Sequence, residues 1–118
     1  MALRSALINV MAGASLKAAR GVLRDFGEVE QLQVSKKGPA DFVSAADTRA
    51  ESTLLDELRR ARPDYEVLSE ERGEIGIQGS KRRWLIDPLD GTTNFLHGVP
   101  HFCISIGLEE NAEIVAGT

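Results

Sequence analysis

Asp87 and Asp90 stand three residues apart around Pro88, and the second runs directly into Gly91-Thr92-Thr93-Asn94. The apolar triplet Trp84-Leu85-Ile86 precedes them. A short strand that ends in an acidic, glycine-bearing turn is suited to holding something charged. A second acidic pair, Glu70-Glu71, follows another apolar run, Val67-Leu68. If the two strands are neighbours, three or four carboxylates converge on one point. Crowded like charges raise one another's pKa unless a cation compensates them. Ligation by Asp, Glu, backbone carbonyls and water suits a hard cation such as Mg2+. Pro88 fixes one backbone angle between the aspartates, which would help turn the Leu89 carbonyl toward the same ion.

The residues after Asp90 have a matching use. Gly91 lets the backbone approach closely, and successive N–H groups at a helix start attract an anion. Metal ligands beside such a nest form a phosphate-processing arrangement, in which bound metal polarises the ester and makes a nucleophile of water at neutral pH. Competing signatures are absent. An EF-hand loop needs acids at alternating positions before its glycine, which Asp87 and Asp90 do not provide. Neither a Gly-x-x-x-x-Gly-Lys-Ser/Thr loop nor a Gly-x-Gly-x-x-Gly fingerprint occurs. One cysteine (Cys103) and two histidines (His97, His101) match no zinc spacing.

These residues need elements to position them. Leu3, Leu7, Val10, Met11, Ala14, Ala18, Val22 and Phe26 recur at helical steps, predicting one long amphipathic helix that ends near Gly27, with Gly13 and Gly21 as weak points. Leu32 and Val34 alternate with polar residues before a Ser-Lys-Lys-Gly-Pro turn or mobile loop. A second helix carries Ala50, Leu54, Leu58 and Ala61 on one face and stops before Pro63. Its expected start is a Ser44-x-x-Asp47 capping pattern. Residues 72–83 suggest a loop or loose hairpin. Short strands are expected at Tyr65–Leu68 and Trp84–Ile86, a longer one at Phe102–Leu108, a turn at Glu109-Glu110-Asn111 and a last strand from Ile114 to Thr118. No cap or polar tail closes that strand, so part of a larger domain is expected.

Bulk properties narrow the class. The 118 residues are 42% hydrophobic and 27% charged, ordinary for a globular domain. A net charge of −4, with no basic stretch longer than Lys81-Arg82-Arg83, argues against a general nucleic-acid binder. A single cysteine excludes an internal disulfide and suggests a reducing compartment. No signal-peptide pattern or membrane-length apolar run stands out, so a cytoplasmic protein without membrane attachment is expected. His97 and His101 are expected to be structural, Cys103 a buried small hydrophobe, and the basic trio surface charge.

The chain resembles the N-terminal half of the inositol monophosphatase family, within the lithium-sensitive, magnesium-dependent phosphomonoesterases. The resemblance rests on Trp84-Leu85-Ile86-Asp87-Pro88-Leu89-Asp90-Gly91-Thr92-Thr93-Asn94-Phe95. It is supported by Ser69-Glu70-Glu71, by Asp41-Phe42-Val43-Ser44-Ala45-Ala46-Asp47, and by Phe102-Cys103-Ile104-Ser105-Ile106-Gly107. The resemblance implies an α+β fold of αβαβα layers, to which this chain gives the first helices and part of the large antiparallel sheet. It implies that Glu70, Asp87 and the Leu89 carbonyl hold one Mg2+ and that Asp87 and Asp90 hold a second, with two or three ions per site. Thr92 and Asp47 would orient the attacking water, and Glu70 would act on that water through the metal. Substrate binding would fall to Leu89, Asp90, Gly91, Thr92 and Lys36, the last from a flexible segment that covers the site. For Asp47 a helix-capping role stands beside the catalytic one.

The implied substrate is a small phosphorylated polyol, inositol 1-phosphate first. Fructose bisphosphate, histidinol phosphate and a 3′-phosphonucleotide are the alternatives within the same chemistry. A non-catalytic protein- or RNA-binding module is the alternative of another class. A homodimer and inhibition by Li+ are further implications. The family's second half carries a Trp-Asp-x-Ala-Ala-type segment whose aspartate completes the second metal site. Residues 1–118 contain no such segment, so they are expected to be the N-terminal portion of the domain.

Overall fold

The computed structural model describes residues 5–29, 39–70, 72–76 and 79–118, with the backbone alone at 39–41. Leu3, Leu32, Val34, Lys36 and Glu71 lie outside the described residues.

The first helix, α1, spans Ala6–Gly27 and passes through Gly13 and Gly21 without a break. Ser5 caps it, its Oγ accepting from the Ile8 N–H at 3.1 Å. Met11, Ala14, Ala18 and Val22, spaced by helical steps, form its buried stripe. By length and composition alone α1 is sufficient to cross a membrane, which corrects the expectation that no segment reached that size. Its stripe is instead packed into the core shared with α2 and the sheet.

The second helix, α2, spans Pro39–Ala61. The predicted Ser44–Asp47 cap is therefore wrong: both residues lie well inside the helix. The helix starts instead at a proline, which is tolerated at the first helical position because an N–H there would have no intrahelical partner. The Ser44 carbonyl instead accepts from the Thr48 hydroxyl at 2.9 Å. Arg49 of α2 reaches the buried carboxylate of Asp25 on α1 at 2.8 Å, and Lys17 pairs with Glu57. The two helices are thus locked side by side.

The strands are β1 (Glu66–Ser69), β2 (Gly73–Ile75), β3 (Arg82–Asp90), β4 (Cys103–Glu110) and β5 (Glu113–Gly117), with a short helix α3 (Thr92–Leu96) between β3 and β4. They form one five-stranded sheet in the order β2-β1-β3-β4-β5. Every neighbouring pair is antiparallel except β1 and β3, which are parallel. The basic residues Arg82 and Arg83 are paired across the sheet with Glu110 and Glu109 at 3.0 and 3.1 Å.

Strand periodicity decides which residues meet the helices. Val67, Trp84, Ile86, Ile106 and Leu108 pack with Met11, Leu54 and Leu58 in the main core. Val22, Ala46, Ala50, Leu89 and Phe95 form a second cluster nearer the acidic end of β3. Helices cover that face, and the opposite face carries the alternate residues Leu85, Asp87, Cys103, Ser105 and Gly107. The chain thus supplies one helical layer and one sheet layer of an α+β fold.

Candidate functional site

Strand β3 does not stop at Ile86, as its apolar triplet suggests, but continues through Asp90. Both aspartates are strand residues, not turn residues. Asp87 pairs with Ser105 and Asp90 with Cys103, so three steps along β3 match two along β4. In an unbroken strand, residues three apart point to opposite faces. The extra residue of this β-bulge cancels the mismatch and brings Asp87 and Asp90 to one face. Pro88, which cannot donate to a ladder, is tolerated in the middle of a sheet because it falls in the bulge. The Asp87 Oδ1 accepts from the Leu89 N–H at 3.3 Å, while the Leu89 side chain is buried on the helical side.

Glu70 arrives from the parallel neighbour. Ser69 pairs with Ile86, and the Glu70 N–H donates to the Ile86 carbonyl at 3.1 Å. Ser69 faces the helices and is 1% exposed, so the next residue faces the other way, beside Asp87. Burial, a hydrogen bond with the Glu70 carboxyl, and the charges of Glu70 and Asp90 push Asp87 up to about 6. That value exceeds the ordinary 3.8, so the folded chain holds this proton more tightly than the unfolded chain. The associated stability is present below about pH 4 and is lost as pH rises through about 6. A difference of roughly two pKa units sets a ceiling of about 3 kcal/mol, which solvent screening reduces to about 1 kcal/mol. In chelator, Asp87→Asn should therefore gain about 4 °C in Tm over the unmutated chain between about pH 4.5 and pH 7.5. Parallel melting profiles would show that Asp87 is not strained by its neighbours.

The turn after Asp90 is built on Gly91, which has φ +91° and precedes α3. A Cβ there would meet the His101 carbonyl oxygen at 3.0 Å and Phe102 Cα at 3.2 Å. Gly91→Ala combines positive-φ strain with a backbone clash, and should lower unfolding free energy by about 2–3 kcal/mol in urea titration. Thr92, half-buried, is the first residue of α3. Asn94 fastens the far side of the turn, its Nδ2 donating to the His101 carbonyl at 2.8 Å. Phe95 anchors the unit from below: it is fully buried, with ring centroids 5.5 Å from Phe26 and 5.2 Å from Phe102.

Asp47 is buried on α2, immediately after Ala46 of the Phe95 cluster. It borders a polar pocket of about 210 Å3 that also involves Ser44, Thr48, Glu51 and Arg72. The structure thus sets Glu70, Asp87 and Asp90 on one face of the sheet, with Glu70 and Asp90 flanking Asp87, and sets Asp47 against the Arg72 side of the β1–β2 hairpin. Lys36 remains outside the described residues.

Cys103 corrects an expectation: it is exposed, not buried in the core. Its Sγ lies 3.9 Å from Asp90 Oδ2, and partial burial together with the charges of Asp90 and Asp87 raises the thiol above its usual range. The alternation Phe102, Ile104, Ile106 against Cys103, Ser105, Gly107 held the signal, since it sorts Cys103 with the small residues of the acidic face. Sequence reasoning also missed Glu51, a buried acid on α2 that contacts Ser69 and Arg72.

Residues 3–118 match the Inositol monophosphatase family. The chain belongs to the inositol monophosphatase family. It is 59% identical over 114 residues to an inositol-1-monophosphatase of Mesorhizobium japonicum, covering 97% of this chain and 43% of that protein. A Nus factor SuhB of Xylella fastidiosa is 46% identical, with 90% of this chain and 38% of that protein covered. Among solved structures, the extragenic suppressor protein suhB of Bartonella henselae aligns with a TM-score of 0.82 at 56% identity, covering 96% of this chain and 44% of the other. The chain therefore spans less than half the length of these family members.

The donor set suits the Mg2+ that the family resemblance implies. Glu70, Asp87 and Asp90 offer carboxylates, hard oxygen donors, and burial together with the neighbouring Glu70 and Asp90 holds Asp87 above the ordinary carboxylate range. A cation would relieve that repulsion. The carboxylates share a face without yet closing on one point: among the described residues, no three Asp, Glu, His or Cys side chains are gathered closely enough to hold an ion.

Proposed function

We propose that the full-length protein carrying these residues is a Mg2+-dependent phosphomonoesterase acting on inositol 1-phosphate. Residues 1–118 would be the N-terminal portion of its domain. The observation that carries this reading is the β3 bulge, which sets Asp87 and Asp90 on one face beside Glu70. Glu70, Asp87 and the Leu89 carbonyl would hold one Mg2+, and Asp87 and Asp90 another. Bound Mg2+ supplies charge neutralisation at the phosphate and lowers the pKa of water.

The chain's own groups do the rest. Backbone N–H groups of Gly91 and Thr92 bind phosphate oxygens, and Lys36 contributes to substrate binding. The Thr92 hydroxyl and Asp47 orient a water for attack on phosphorus opposite the ester oxygen. The new P–O bond forms as the bond to inositol breaks; the attacking water gives up its proton to solvent, and the departing alkoxide takes one from solvent water. No covalent phosphoenzyme is formed. A cytoplasmic homodimer inhibited by Li+ at millimolar order belongs to the same reading and rests on family resemblance.

The deciding experiment is Mg2+-dependent phosphate release from inositol 1-phosphate by the full-length protein, with Asp90→Asn as background. A panel of fructose bisphosphate, histidinol phosphate and a 3′-phosphonucleotide runs beside it. Faster turnover of any panel member retires the inositol assignment and keeps the chemistry. The relative named as a Nus factor supports a second reading, a non-catalytic protein- or RNA-binding module. Absence of turnover on every substrate, with partner binding unchanged in Asp90→Asn, would favour it.

A further inference from the structure

Glu51 has no part in the mechanism above, yet it is a carboxylate only 1% exposed, one helical turn beyond Asp47 on α2. Burying a carboxylate costs several kcal/mol unless its oxygens are well paired. Both oxygens of Glu51 are engaged. Oε2 accepts from the Ser69 hydroxyl, and Oε1 meets the Arg72 guanidinium through Nε. These two partners are not arbitrary. Ser69 is the last residue of β1 and pairs with Gly73 across the β1–β2 hairpin, and Arg72 is the residue before Gly73. Glu70 therefore lies between the two points that Glu51 grips.

We propose that Glu51 is a positioning residue: from α2 it clamps both flanks of the β1–β2 hairpin tip and so holds Glu70 against Asp87. This rests on the reading of Glu70 and Asp87 as Mg2+ ligands. A short hairpin tip carrying a like-charged ligand would otherwise swing away from Asp87, since the two carboxylates repel. The Glu70 N–H bond to Ile86 secures the backbone on one side, and Glu51 secures it from the helical layer. Groups that orient metal ligands without touching the metal typically change affinity or activity 10–100-fold when removed.

The test compares Glu51→Gln and Arg72→Leu in the full-length protein. Arg72 is half exposed, so its variant keeps the question open to measurement if Glu51→Gln fails to fold. Two readouts are taken: the Mg2+ concentration giving half-maximal phosphate release, and the hydrogen-exchange rate of the Glu70 amide without metal. A rise of about tenfold in the Mg2+ midpoint, with kcat at saturating Mg2+ largely retained and faster Glu70 exchange, is expected. A lower Tm with an unchanged midpoint would reduce Glu51 to a structural residue and overturn the proposal, leaving the phosphatase reading intact. Unchanged exchange in both folded variants would overturn the clamp itself. No Mg2+-dependent turnover in the unmutated protein would overturn the phosphatase reading, and the positioning role with it.

Discussion

Asp87→Asn is expected to cut phosphate release by the full-length protein about a thousandfold at saturating Mg2+. Glu70 and Asp90 both press upon Asp87, which in the proposed site would be the carboxylate shared between the two ions. Metal-based charge stabilisation of the transition state is worth several kcal/mol, and each 1.36 kcal/mol is a factor of ten in rate. Asparagine keeps the shape and one oxygen but removes the charge. The same substitution should raise the melting temperature of the metal-free protein near neutrality, because it removes a carboxylate whose charge is disfavoured by burial and by Glu70 and Asp90. Loss of activity with gain of stability would separate a metal ligand from a residue needed only for folding. A variant that keeps more than about a tenth of the rate would sink the assignment of Asp87 as a bridging ligand.

Phe95→Ala should be the most destabilising substitution near the site, at about 3–5 kcal/mol in chemical unfolding. Phe95 is fully buried, and its ring touches Phe26 of α1 and Phe102 just before β4; the Phe42 ring on α2 lies 6.5 Å away. No small movement fills the void, because the surrounding rings belong to separate elements. A fall of that size would consume a large share of a typical domain's stability. The consequence for function would follow the same route, since Phe95 seats the helix that begins at Thr92. A loss below about 1 kcal/mol would mean that α3 is held chiefly by the Gly91 and Asn94 backbone contacts.

Much of this is legible in the sequence alone. The long apolar stripe of α1 was plain because helical spacing is a local property, readable from Met11, Ala14, Ala18 and Val22. Glu70, Asp87, Asp90 and Gly91 stand out because acids placed after apolar runs suit a hard cation and a glycine lets the backbone turn and approach closely. The Ser44–Asp47 cap was misplaced, because that pattern also fits a helix interior and the true start at Pro39 left a weaker trace. The end of β3 was misplaced for a related reason. Proline and two acids look like a turn, and only pairing with β4 shows that the strand continues through them.

The division between the two sources has a physical cause. Residue types determined what chemistry is available: carboxylates that suit a hard cation, a glycine where φ must be positive, and the motif that matches the family. Those are properties of side chains and of neighbours along the chain. Which face each acid presents, and whether two strand ends meet, depends on hydrogen bonds between segments far apart in sequence. The bulge that turns Asp87 and Asp90 to one side, the parallel pairing that delivers Glu70, and the reach of Glu51 to Ser69 and Arg72 all exist only once β1, β3, β4 and α2 have packed.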